Sequence, residues 1–106
     1  YWWPDYVSPI GWLYSMFRTE DETLFNLGYH KNAEFDELID TADAISGSDR
    51  EGATDMFIEA QEILVDDAVS VFFYDVANTH VGRADIQGYV DNPAYPHVLF
   101  AYDLSR

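Results

Sequence analysis

Ser48-Asp49-Arg50-Glu51-Gly52-Ala53-Thr54-Asp55-Met56-Phe57-Ile58-Glu59-Ala60-Gln61-Glu62-Ile63-Leu64-Val65-Asp66-Asp67 is the stretch that decides the fold. Ala53, Met56, Phe57, Ala60, Ile63 and Leu64 recur at three- and four-residue intervals, the period of a helix buried along one face. Ser48 followed by Glu51 is a capping-box pattern. The spacing therefore predicts a helix over about 49–67.

Upstream, Asn32 is a cap for a helix over about 33–45, with Phe35, Leu38, Ile39, Ala42 and Ile45 facing inward. Glu34 and Asp36 sit favourably in its first turn, and Ser46-Gly47 ends it. Ser8-Pro9 opens an earlier helix, with serine at the cap and proline at the first helical position. Ile10, Leu13, Tyr14 and Phe17 form its inner face. It ends near Arg18 to Asp21, because Glu20-Asp21-Glu22 would oppose the dipole at a helix C-terminus. Gly28 is the expected turn in the loop over 23–31.

Downstream, the period changes. Val69 to Tyr74 is β-branched and aromatic, and reads as a strand buried on both faces. Thr79 to Val81 and Val98 to Leu104 read as two further strands. Gly82 and Gly88 bracket a connector, and Asp91-Asn92-Pro93 is a turn. Tyr1 to Trp3, broken by Pro4, reads as the end of a strand that begins earlier. Three helices followed by strands predict an α/β or α+β architecture.

The 106 residues carry 20 acids against 5 bases, a net charge of −15, which disfavours nucleic acid and anionic membranes as partners. Fifteen of the acids lie within 20–67, against Lys31 and Arg50 alone. Dense carboxylates with a single lysine read as a surface of the halophilic kind, whose self-repulsion is screened by salt. There is no cysteine, hence no disulfide framework and no thiolate chemistry. No apolar run approaches the roughly 20 residues of a membrane span. An opening on Tyr1-Trp2-Trp3-Pro4, without an initiator methionine, reads as a piece of a larger protein.

Catalytic patterns are missing from the sequence. No nucleophile elbow, phosphate loop, dinucleotide fingerprint or zinc-protease pattern occurs. His30, His80 and His97 are too scattered for a metal site and read as surface or loop histidines. Glu20-Asp21-Glu22 lacks the alternating ligands of a calcium loop. Neither a cofactor nor a metal is expected. Asp5 is the exception that invites a site: it is the one acid in the first nineteen residues, among Trp2, Trp3, Tyr6, Trp12 and Tyr14. It could receive a ligand ammonium between aromatic walls, or cap local amides while the tryptophans pack into the core. A glycosidase-like use of Asp5 is disfavoured, because it needs a second carboxylate and the nearest in sequence, Glu20 and Asp21, lie beyond a whole helix.

Trp2-Trp3-Pro4-Asp5-Tyr6-Val7-Ser8-Pro9 resembles the Trp-x-x-Asp-Tyr-x-Asp-Pro segment of the peptide/oligopeptide-type extracellular solute-binding proteins of family 5, the ligand-capturing subunits of ABC importers. Asn32-Ala33-Glu34-Phe35-Asp36-Glu37-Leu38-Ile39 is similar to that family's Asn-Pro-x-Phe-Asp-x-Leu-Ile. Ala60-Gln61-Glu62-Ile63-Leu64-Val65-Asp66-Asp67-Ala68 resembles its Ala-Gln-x-Ile-Leu-x-x-Asp-Ala-Pro. Asp85-Ile86-Gln87-Gly88-Tyr89 resembles a Val-x-Gly-Tyr close to its C-terminus. Ser8, Ala33 and Val69 depart from the pattern, where the family has aspartate, proline and proline.

The resemblance implies an α/β fold, a C-terminal fragment of a two-lobed periplasmic-binding-protein-like protein. Residues 1–75 would belong to the second lobe and 76–106 would return towards the hinge and the first lobe. It implies a non-enzymatic role, capture of a peptide-like small solute by lobe closure. Asp5 would meet the ligand's α-ammonium, and Trp2, Trp3 and Tyr6 would line the pocket. The implied partners are the solute, ABC permease subunits and the missing N-terminal part of the chain. The implied location is the extracellular face of the membrane or the periplasm, with a membrane tether. The rival expectation is an acidic interaction module that docks a partner through its aromatic N-terminal end.

Overall fold

In the computed structural model, residues 2, 6–74, 79–92 and 98–106 are described. Three helices carry the architecture: α1 (Ile10–Phe17), α2 (Ala33–Ile45) and α3 (Arg50–Asp66). α2 and α3 pack along each other as a hairpin, and α1 lies across them, mainly against α2. All three fall where the apolar spacing predicts.

The caps explain the boundaries. Asn32 Oδ1 accepts the N–H groups of Glu34 (3.0 Å) and Phe35 (3.2 Å), which starts α2 where the sequence predicts. At α3 the cap moves by one residue. Asp49 Oδ1 accepts the Gly52 N–H at 2.9 Å, while the Ser48 hydroxyl donates to the Ile45 carbonyl at 3.1 Å. Ser48 thus finishes α2 instead of starting α3, because a carboxylate one residue later is the stronger acceptor at a helix N-terminus.

The core alternates large and small residues. Phe35, Ile39 and Ala42 of α2 face Ala53, Phe57, Ala60 and Leu64 of α3, with Ile10 and Leu13 of α1 closing one side. The alanines let the α2–α3 pair approach closely, and the two phenylalanines fill the space between them. Leu38, Ile45, Met56 and Ile63, also expected inside, are partly buried at the edge of this core.

α3 stops in a Schellman motif. The Ala68 N–H donates to Val65 O (3.1 Å) and the Val69 N–H to Leu64 O (3.3 Å). Ala68 takes a left-handed φ of 50°, a conformation that crowds a Cβ. Ala68→Gly should therefore stabilise the fold by about 0.5–1 kcal/mol. A thermal unfolding midpoint a few degrees higher would bear this out, and an unchanged midpoint would refute it.

Beyond α3, the expected α/β architecture is corrected. Among the described residues there is no strand and no sheet. Val69 belongs to the cap of α3, and residues 71–74 run without a ladder, with Val71 and Phe73 each 84% exposed. Thr79 to Val81 forms no regular element. Val98 to Leu104 holds a short 3-10 helix at Ala101–Asp103 instead of a strand. One isolated antiparallel bridge joins Gln87 and Ser105, through bonds of 2.9 and 3.0 Å. The physical reason is pairing: β-branched and aromatic residues suit a pleated surface, but a strand needs a second backbone to satisfy its N–H and C=O groups. The described residues offer none.

The two-lobed fold therefore goes, and with it capture of a solute by lobe closure. A lobe of that kind is built on a sheet, and a helical hairpin with an extended tail supplies no such lobe. Peptide-like solute and ABC permease lose their structural basis as partners for the same reason.

Candidate functional site

Two features stand out above the core: a polar staple that joins the helix ends, and an apolar strip between α1 and α3. The staple is built on Asn26 and His30, the buried polar residues of the described chain. Asn26 Nδ2 donates to the carbonyls of Arg18 (3.0 Å) and His30 (2.8 Å), and its Oδ1 accepts the His30 N–H (3.1 Å). The loop between α1 and α2 is thereby closed on itself without a second regular element. The turn falls at Leu27-Gly28, where it is expected, closed by the Tyr29 N–H donating to the Asn26 carbonyl at 3.0 Å, and Tyr29 follows it with a left-handed φ of 54°.

His30 ties this loop to two helix ends. Its Nδ1 lies 3.0 Å from the Phe17 carbonyl and its Nε2 3.2 Å from Asp67 Oδ2. The ring meets Phe35 edge-on, with centroids 5.3 Å apart. Asn32 Nδ2 donates to the same Asp67 oxygen at 3.0 Å. That donation, and then the His30 contact, hold the Asp67 carboxyl below the usual carboxylate range. Above the loop, Arg18 grips Asp40 through two bonds of 3.1 and 2.8 Å, which lowers the Asp40 carboxyl. Glu20 is lowered by accepting the N–H of Leu24, with Asn26 and Phe25 adding to it.

These contacts are structural. Asn26, His30, Asn32 and Arg18 spend their polar atoms on backbone groups or on the carboxylates of Asp67 and Asp40. Among the described residues no three His, Asp or Glu side chains gather to hold a metal. His30 is expected at the surface or in a loop; it lies in the loop between α1 and α2 but is buried. Nothing local in the sequence signals this, since its partners lie 13 and 37 residues away.

Of the sequence-predicted site residues, Asp5 and Trp3 lie outside the described residues. Trp2 folds back on α1: its indole N–H donates to the Gly11 carbonyl at 3.0 Å and its ring meets Phe25 at 4.8 Å. Tyr6 is half exposed and joins Val7, Trp12, Arg50 and Phe57 around a depression of about 650 Å³. Trp12 is also a wall of a second depression, of about 560 Å³, with Met16, Val65 and Phe72 around it and Leu13 and Leu64 at its base. Gln61 and Val65 pass into a third, where Ile58 meets Glu62 and Asp66. Shared walls join the three into one strip along α3, about 24 Å from Arg50 to Asp66 at 1.5 Å per residue. Sequence reasoning places Trp12 in the aromatic cluster but does not find Ile58, Val65 or Phe72. The signal was available: Ile58 and Val65 fall off the inner face of α3, apolar where a solvated face would be polar.

No described helix is long and apolar enough to cross a membrane. No family model matches the chain, and no solved structure matches it. A curated relative, the probable D,D-dipeptide-binding periplasmic protein DdpA of Escherichia coli (strain K12), is 26% identical over 106 residues. The match covers 99% of this chain and 20% of the relative, so the chain spans about one fifth of that protein's length. Membership of the solute-binding family, expected from the motifs, is thereby corrected: the likeness is partial and distant, and the described fold is helical where that family is α/β.

Proposed function

We propose that the chain is a non-catalytic docking module, an acidic three-helix unit of a longer polypeptide that acts by holding protein surface. One observation carries the reading: three adjoining depressions along α3 lie open, apolar in the middle between Trp12, Met16, Val65 and Phe72 and polar or charged at either end, joined at the edge by the exposed segment 71–74. Trp12 is 41%, Val65 60% and Phe72 56% exposed, and large apolar residues so grouped mark an interaction surface. The relative's name describes a binding protein, which supports a non-catalytic role. Its fivefold greater length supports a partner within the same polypeptide.

The aromatic end enters this reading through Tyr6, which lines the first depression, with Trp2, Trp3 and Asp5 as neighbouring partner contacts. A location outside the cytoplasmic membrane belongs to the same reading and is supported by the periplasmic location in the relative's name.

Hydroxyl-radical footprinting of the full-length polypeptide tests it. Trp12, Met16 and Phe72 should label about tenfold more slowly than the same residues in short free peptides. Labelling at the free-peptide rate would show an uncovered strip and refute the docking role.

A further inference from the structure

The strip beside α3 changes character along its length. Near the start of α3, Arg50 and Asp43 line it together, so that end is balanced in charge. In the middle, Leu13 and Leu64 form an apolar floor, each at most 5% exposed, between the walls of Trp12, Met16, Val65 and Phe72. At the far end stand Glu62 and Asp66 beside Ile58 and Val65. Neither acid has an ion-pair partner among the described residues. No basic residue occupies the last turn of α3, so the negative end of the helix dipole adds to theirs.

We propose that this strip seats an amphipathic helix of the same longer polypeptide, from outside residues 1–106, apolar on one face and bearing lysine or arginine where it meets Glu62 and Asp66. The inference rests on the docking role above and names its occupant. Length and shape fit: α1 and α3 line an open depression between them, and about 24 Å is the span of roughly 16 helical residues. Charge sets the polarity: a cation at the Glu62 end answers two carboxylates and a helix C-terminus together, while an acid there would be repelled. A second copy of this chain is disfavoured, because each carries a net charge of −15. The relative is long enough to supply the helix, since four fifths of its length lies beyond the match. A tethered segment also docks at a high effective concentration.

Amide hydrogen exchange on the full-length polypeptide tests this, comparing wild type with variants in the same chain. Residues 70–74 lie beyond α3 and its cap and make no backbone ladder, so their protection reports the occupant. Glu62→Lys with Asp66→Lys should speed exchange across residues 70–74 by about tenfold or more as the helix releases. Val65→Asp, at an exposed position, should do the same by placing a charge on the apolar wall. Glu22→Lys with Glu37→Lys makes the same change in net charge away from the strip, and should leave exchange across 70–74 unchanged. Protection there that survives the Glu62/Asp66 reversal overturns the cationic helix while leaving the docking role standing. Residues 70–74 that exchange at an unprotected rate in the wild type overturn both. Protection that appears only at high protein concentration identifies a second copy, and protection that needs an added protein identifies a separate partner. Either result overturns the assignment to the same polypeptide, as does a gene that encodes nothing beyond these residues.

Discussion

Phe35→Ala is expected to lower the free energy of unfolding by about 3–5 kcal/mol, the cost of emptying a fully enclosed phenylalanine site. Phe35 has no exposed surface, stands in the first turn of α2 against α3, and carries the His30 ring on its edge. Its loss opens a cavity where the two best-packed helices meet, and the neighbouring alanines of α3 have no side chain to lean into it. For a small domain stable by about 5–15 kcal/mol, that is a large share of the total. Urea denaturation followed by helical circular dichroism reads the effect directly. Phe35→Leu, which keeps most of the volume, should cost less than half as much. A loss below about 1 kcal/mol for Phe35→Ala would mean that this residue is not enclosed as described.

Asn26→Ala is the second large effect, expected at about 2–3 kcal/mol. One amide here satisfies the carbonyls of Arg18 and His30 and the N–H of His30, and no other side chain supplies these bonds. Removing it leaves those backbone groups without their partner at the buried base of the loop, beside His30. The effect should spread to the His30 contacts with Phe17 and Asp67, because Asn26 holds the backbone that presents the imidazole. Asn26→Asp separates the two halves of the amide. It keeps the acceptor but replaces the donor with a carboxylate facing two carbonyl oxygens. Its cost should be greatest at neutral pH and shrink as acid returns a proton to that carboxyl. An Asn26→Ala chain as stable as wild type would show that the loop is held by something other than this staple.

Helix content was legible because helix formation is local. Phe35, Ile39 and Ala42, or Ala53, Phe57, Ala60 and Leu64, declare a buried face within one or two turns. Asn32 announces the start of α2 with bonds only two and three residues away. The misplaced cap at Ser48 is a local ambiguity between two adjacent acceptors. The strand expectation over 69–74 and 98–104 failed for a different reason. Residue type reports which surface a segment would suit, but the partner strand must come from elsewhere, and no period within the segment shows whether it is present.

The family reading failed at the same point. Motifs spaced along the chain match pieces of a pattern, while the fold they imply depends on a sheet that the described residues do not form.

The sequence by itself determined three amphipathic helices, their inner faces, a net charge of −15 and the absence of cysteine, because each depends on composition or on neighbours within about four residues. Only the tertiary structure decided that His30 is buried and reaches Asp67, that Asn26 closes the loop on itself, and that Trp12, Val65 and Phe72 share an open strip. Those contacts join residues far apart in the chain, and it is the packing of α1 across the α2–α3 hairpin that brings them together.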